Sequence, residues 1–185
     1  MITQASTRVL TTILFSLFLS TACDSGLPSR FDEVSGVDLC QLISPAEAEH
    51  ILGPLQDTKS SVTSGSTFAG DCTWTFKSLS SGKEASLFVL MMTAASAPPG
   101  TSPGRFMAIS QPEVEASLGA NPWPMQNLGD QAFLYQTSRP EHSELWLLQS
   151  HTLLTFRMLG GSSAQLEQFA RALSREMTLP AEPKG

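Results

Sequence analysis

Three histidines, three cysteines, seven methionines and a scatter of acids are the residues of this chain with chemistry to offer. Nucleophilic hydrolysis needs a Ser or Cys activated by a His in reach, itself oriented by an acid. His50, His142 and His151 fall on a helix, a loop and a turn, none with a signature neighbour, and are read as exposed polar residues rather than bases. No G-x-S-x-G elbow is present, and GSTFAG at 65–70 is offset from one. For a metal there is no H-E-x-x-H, no close Cys/His spacing and no Asp-rich calcium loop. Thioethers suit Cu(I), but Met91 and Met92 are neighbours on a strand and point to opposite faces. Met177 lies on a helical apolar stripe, so the methionines are read as core filling. Glu47 has a capping role and Asp130 a turn role. GGSS at 160–163 precedes a helix, whose N-terminus can hold an anion; ordinary capping accounts for the same residues. These residues predict no catalytic site, metal or cofactor, and no enzyme.

The cysteines are more informative. Cys40 and Cys72 lie 32 positions apart, unlike the close C-x-x-C spacing of redox and zinc pairs. Cys23 follows a different kind of segment. The chain opens MITQASTR, with one positive charge at Arg8, runs through VLTTILFSLFL at 9–19, and leaves by Ser20, Thr21 and Ala22. A positive start, a short apolar run and a small-residue exit are the parts of a secretory signal. That run is far short of the ~20 residues needed to cross a bilayer. LSTAC resembles the lipobox of bacterial lipoproteins, in which small residues precede a Cys that is acylated after cleavage. That family usually carries Leu three places before the Cys; here Ser20 stands there and Leu19 one place earlier. Ordinary cleavage after Ala22, with Cys23 left as a thiol, is the alternative. The resemblance implies a lipid (palmitate) on Cys23 and a domain tethered to a membrane on the extracytoplasmic side of the cell envelope. Asp24 resembles the signal that keeps enteric lipoproteins at the inner membrane.

With Cys23 lipidated, Cys40 and Cys72 remain as an even pair in an oxidising compartment, which predicts a Cys40–Cys72 disulfide. The whole chain has a formal charge of −6, and loss of residues 1–22 removes Arg8 and leaves −7. An acidic domain with no run of Lys or Arg has no electrostatic footprint for nucleic acid.

The elements follow from local pattern. Residues 24–36 are polar, with Gly, Pro and Ser, and read as a tether. Ser44-Pro45-Ala46-Glu47 offers an N-cap, a first-turn proline and a capping-box acid, opening a helix that stops at Gly53. CTWTFK at 72–77 alternates as a half-buried strand; EASLFVLMMT at 84–93 is apolar enough for burial on both faces. The turn-forming SLSSGK joins them. Short helices are expected at 105–110 and again after Pro112, then an irregular stretch at 119–130. Strands are expected at 131–137, 143–149 and 152–159, with Ser150-His151 as the last tight turn. Leu166, Phe169, Ala170, Leu173 and Met177 form one apolar face of a helix over 163–178.

This succession resembles a family of small bacterial lipoproteins, best known from actinobacteria, whose domain has no assigned function. The shared elements are Cys40, Leu42, Ser44, Pro45, Glu47 and Ala48, then Leu52-Gly53, Cys72-Thr73-Trp74, and Leu128-Gly129-Asp130 with Ala132. The likeness spans residues 38–178. It implies the same disulfide and a sandwich resembling PsbP-like and sensor-kinase extracellular domains, and it brings no activity with it.

The expected layout is a signal peptide at 1–22, the lipidated Cys23 and tether at 23–36, one domain at 37–180 and a tail at 181–185. The fold class is α+β: an antiparallel sheet with helices packed on one face and one disulfide. Within 95–127, six prolines accompany Phe106, Trp123 and Met125. A long irregular segment is often functional, so these three residues are expected either to contact a partner or ligand or to cover the core. The function expected is a non-enzymatic envelope lipoprotein that contacts another envelope protein. A small-molecule or lipid-binding sensor-type domain is the alternative.

Overall fold

The computed structural model describes residues 36–60, 67–79, 81–137, 139 and 142–178. The expected signal peptide, Cys23 and most of the tether lie outside the described residues, as does the tail.

Helix α1 (Pro45–Leu52) opens as its sequence dictates. The Ser44 hydroxyl accepts the Glu47 amide at 3.2 Å, Pro45 fills the first turn, and Gly53 (φ 111°) ends it. Strands β1 (Leu55–Lys59), β2 (Gly70–Lys77) and β3 (Glu84–Met92) follow, then α2 (Pro103–Leu118) and a short β4 (Pro122–Pro124). Strands β5 (Gln131–Gln136), β6 (His142–Gln149) and β7 (Thr152–Leu159) lead to the last helix, α3 (Ser163–Thr178). All seven strands form one antiparallel sheet in the order β1-β2-β3-β7-β6-β5-β4. The α+β class and the antiparallel sheet are as the sequence predicts. Cys40 and Cys72 are bonded, their Cα atoms 5.3 Å apart; the bridge ties a 3-10 turn (Leu39–Gln41) to β2.

The helices divide between the two faces, which corrects the expectation that all pack on one. Strand alternation sends Trp74, Leu87, Leu147 and Phe156 toward α1 and α3, where they form the larger core with Ile51, Leu166 and Phe169. Trp74 meets Phe169 edge to face, ring centres 4.9 Å apart. The intervening residues Met92, Tyr135, Trp146 and Leu153 point the other way and are covered by Met107 and Phe106 of α2. Strands β5 to β7 are apolar on both sides, so a helix on one face leaves the other wet. The third helix removes that cost.

Helix α2 is itself a correction, since one helix replaces the two short ones expected around Pro112. Ser102 caps it through the Arg105 amide at 3.2 Å, and Gly119 closes it in the left-handed conformation (φ 61°). Pro112 supplies no N–H to the Ala108 carbonyl. Both residues are on the exposed side of the helix, so the carbonyl left without a donor is open to solvent.

The two ends of the sheet are unlike. At β1 the register shifts between Leu55 and Asp57, and Asp57 pairs with Lys59 in the open. At β4 the Met125 amide donates inward to the Ala132 carbonyl at 2.9 Å. Antiparallel alternation then turns Trp123 N–H inward too, and leaves Pro122 and Pro124 at the outward positions. Neither proline has an N–H, so the outer rim of β4 presents no backbone donor.

Leu128-Gly129-Asp130 locks the β6–β7 hairpin from below. Leu128 is buried in the core. A Cβ on Gly129 (φ 58°) would stand 2.3 Å from a Leu147 methyl and 2.5 Å from the Leu148 carbonyl oxygen. The Asp130 carboxylate accepts the amide of Ser150, the left-handed first residue of the turn.

Candidate functional site

The residues singled out from sequence do not converge. Phe106 is half-buried against the α2-side core. Met125 is half-buried against the opposite core, beside α3. Trp123 alone projects, 71% exposed. The segment around them is not irregular: most of it is α2 and β4. The reading that it merely covers the core holds for Phe106 and fails for Trp123. Of the other residues weighed, His50 and His151 are exposed on α1 and on the β6–β7 turn. His142 and Ser143 are consecutive on β6 and face opposite sides of the sheet.

Trp123 stands at one end of a groove between the β4–β5 edge and the first turn of α3. It pairs with Leu134 across the strands, so both side chains share the α3 side. With Met125, Ala164 and Glu167 they enclose a hollow of about 350 Å³. A second hollow, of about 330 Å³, is lined by Gln136, Thr137, Arg139, His142, Ser143 and Ser163. Gln136 and Ser163 belong to both and are joined at 3.0 Å, the Gln136 amide donating to the Ser163 hydroxyl. The groove is thus apolar at the Trp123 end and polar and cationic at the other.

The first turn of α3 is firmly placed. The Ser162 hydroxyl accepts the Gln165 amide at 3.2 Å, and the Gln165 side chain accepts the Ser162 amide at 3.0 Å. This is a reciprocal capping box. The same Gln165 donates to the Leu52 carbonyl at 2.9 Å, binding the start of α3 to the end of α1. The first helical bond runs from the Leu166 amide to the Ser162 carbonyl, so the amides of Ser163 and Ala164 precede the helical ladder.

At the cationic end the Ser143 hydroxyl is enclosed and has no hydrogen-bond partner; Nε2 of His142, on the other face of the strand, has none either. Ser143 is 5% exposed. It sits on the same stripe as Leu145 and Leu147, and a serine in phase with core leucines is the one sequence signal that marks it. Arg139 and Gln136 carry no such signal; only the fold brings them beside α3.

Two further polar clusters help to hold the fold. A hollow of about 440 Å³ beside α3 contains Arg171 and Arg175. Arg171 is spent on Glu167 at 2.8 Å and on the carbonyls of Asn127 and Gln126 at 2.8 and 3.2 Å. Arg175 pairs with Glu47 at 3.3 Å. Under α2, the buried Glu144 accepts from Trp146 Nε1 at 2.8 Å and from Arg157 Nε at 3.3 Å. Tyr135 lies directly across from Glu144, its hydroxyl enclosed and without a partner. Burial, with the negative fields of Glu115 and Glu144, pushes its phenol up to about 12.

Among the described residues no three His, Cys, Asp or Glu side chains gather where a metal ion could sit. No helix among them is long and apolar enough to cross a membrane. No family model matches the chain, and no curated protein matches it.

Proposed function

We propose that this chain is a lipid-anchored protein of the bacterial envelope whose domain recognises a protein partner through the groove headed by Trp123. The observation that carries the reading is the exposure of Trp123 on a rigid sheet edge beside a hollow with an apolar floor. An indole held out in water by a well-paired strand is the kind of anchor that dominates protein interfaces. The Cys40–Cys72 bond supports an oxidising compartment, and LSTAC supports anchoring through Cys23. The alternative, a domain that encloses a lipid or small molecule, needs a deep apolar pocket. The core between the sheet and α3 is instead filled by side chains such as Trp74, Phe156 and Phe169.

The test is crosslinking in intact cells followed by mass spectrometry, comparing the native chain with Trp123→Ala. Loss of one reproducible partner, with unchanged thermal unfolding, is the expected result. Truncating an anchoring Trp weakens an interface by about 2 kcal/mol or more. A partner captured equally well by Trp123→Ala would place the contact elsewhere.

A further inference from the structure

The cationic end of the groove has features that an apolar contact with Trp123 does not use. The amides of Ser163 and Ala164 point out of a 16-residue helix with no helical acceptor, and partial positive charge gathers at such a terminus. That alone would be ordinary. Beside them, however, lies the Ser143 hydroxyl, 5% exposed and unpartnered, in a side chain that lines the same hollow as Ser163. An enclosed donor with no acceptor destabilises the fold that holds it, and an oxygen ligand arriving in the hollow would supply the acceptor. Arg139 adds a full positive charge at the rim, in a chain that is otherwise acidic. Glu167 lines the other hollow and pairs with Arg171 at 2.8 Å.

Resting on the reading above, we infer that the first turn of α3, Ser143 and Arg139 bind the free C-terminal carboxylate of a partner chain, whose last apolar side chain lies on Trp123 and Met125. Three features select a peptide terminus over an acyl chain. The apolar hollow has room for one or two side chains, at about 350 Å³. Gln136 and Ser163, paired with each other in the middle of the groove, still offer the Gln136 carbonyl and the Ser163 hydroxyl proton to a peptide group, and an acyl chain would desolvate both. The rim of β4 has no outward N–H, so a strand added there would find only carbonyl acceptors and lose half of its ladder bonds, which favours holding a partner by its side chain and its end.

The experiment titrates the full, isotope-labelled chain with N-acetylated Ala-Ala-Phe, once as the free acid and once as the C-terminal amide, following backbone amide spectra. The free acid shifts Ser143, Ser163 and Ala164 saturably, and the amidated peptide binds at least about tenfold more weakly, as expected for loss of charge-assisted hydrogen bonds. Arg139→Ala weakens the acid and leaves the amidated peptide unchanged, while Trp123→Ala weakens both. Equal binding of the two peptides overturns the carboxylate site, and so does binding of neither. Partner capture that depends on Trp123 in cells would survive either of those results, so the two readings fail separately.

Discussion

Tyr135 is the sole tyrosine of the chain, and its surroundings couple stability to alkaline pH. Its phenol ionises near 12 in the folded protein and near ~10 once unfolded. Between those values the unfolded chain has released a proton that the folded chain keeps, so stability falls as pH rises. Below about 10 the contribution is fully present. Tyr135→Phe should flatten the decline between pH 10 and 12, measured by urea unfolding across that range. At neutral pH the same variant should gain about 1 kcal/mol, because it deletes an enclosed hydroxyl with no acceptor. An unchanged midpoint at neutral pH would mean that the hydroxyl finds a partner in solution. Ser143, one pair along the same ladder and on the opposite face of the sheet, carries the same kind of orphan, yet it lines a hollow rather than a closed core. That difference separates a local defect from a candidate site.

At the scale of elements, the bond between the 3-10 turn and β2 closes a loop across 32 positions. Chain-entropy arguments give such a loop roughly 3–4 kcal/mol. The Cys40→Ser, Cys72→Ser double variant should lose about that much in urea unfolding, and a reductant should then leave its midpoint where it is. The bridge was legible in the sequence because only two cysteines remain once Cys23 is set aside. Helix α3 and strands β5 to β7 were equally legible, since Leu166, Phe169 and Leu173, or Leu145 and Leu147, repeat at the period of their own backbone. The edges were not. LQDTK and PWP have no apolar alternation, because a strand at a sheet margin buries one flank at most. Helix α2 was hidden by Pro112, whose local preference is to break a helix. Its exposed position makes the missing bond cheap, and packing of Met107 and Phe106 on the sheet outweighs it. Burial on the second face was foreshadowed only in part, by Trp146 lying between Leu145 and Leu147. Of the groove, Trp123 and Met125 were visible as aromatic and sulfur side chains in a proline-rich stretch. Gln136, Arg139 and Ser143 come from the two arms of the β5–β6 hairpin and its turn, and polar residues there read as ordinary turn chemistry.

At the scale of the whole molecule, the N-terminal segment and the domain make a joint prediction. Cys23→Ser should move the protein from the membrane to the soluble fraction, with the Cys40–Cys72 bond still formed; membrane retention would exclude lipid anchoring through Cys23. A protein so anchored lives on a surface, where its copies collide in two dimensions and its local concentration far exceeds that in the bulk. Under those conditions a bare sheet margin is a template on which identical chains can stack. The Pro122-Trp123-Pro124 rim meets that hazard by arithmetic: strand alternation points every second amide outward, and both outward places on β4 hold the one residue that has no amide hydrogen. The same two prolines that deny an added strand its donors flank the exposed indole proposed to meet a different neighbour. On the proposed reading, crowding on the membrane and recognition of a partner would be kept apart within three residues.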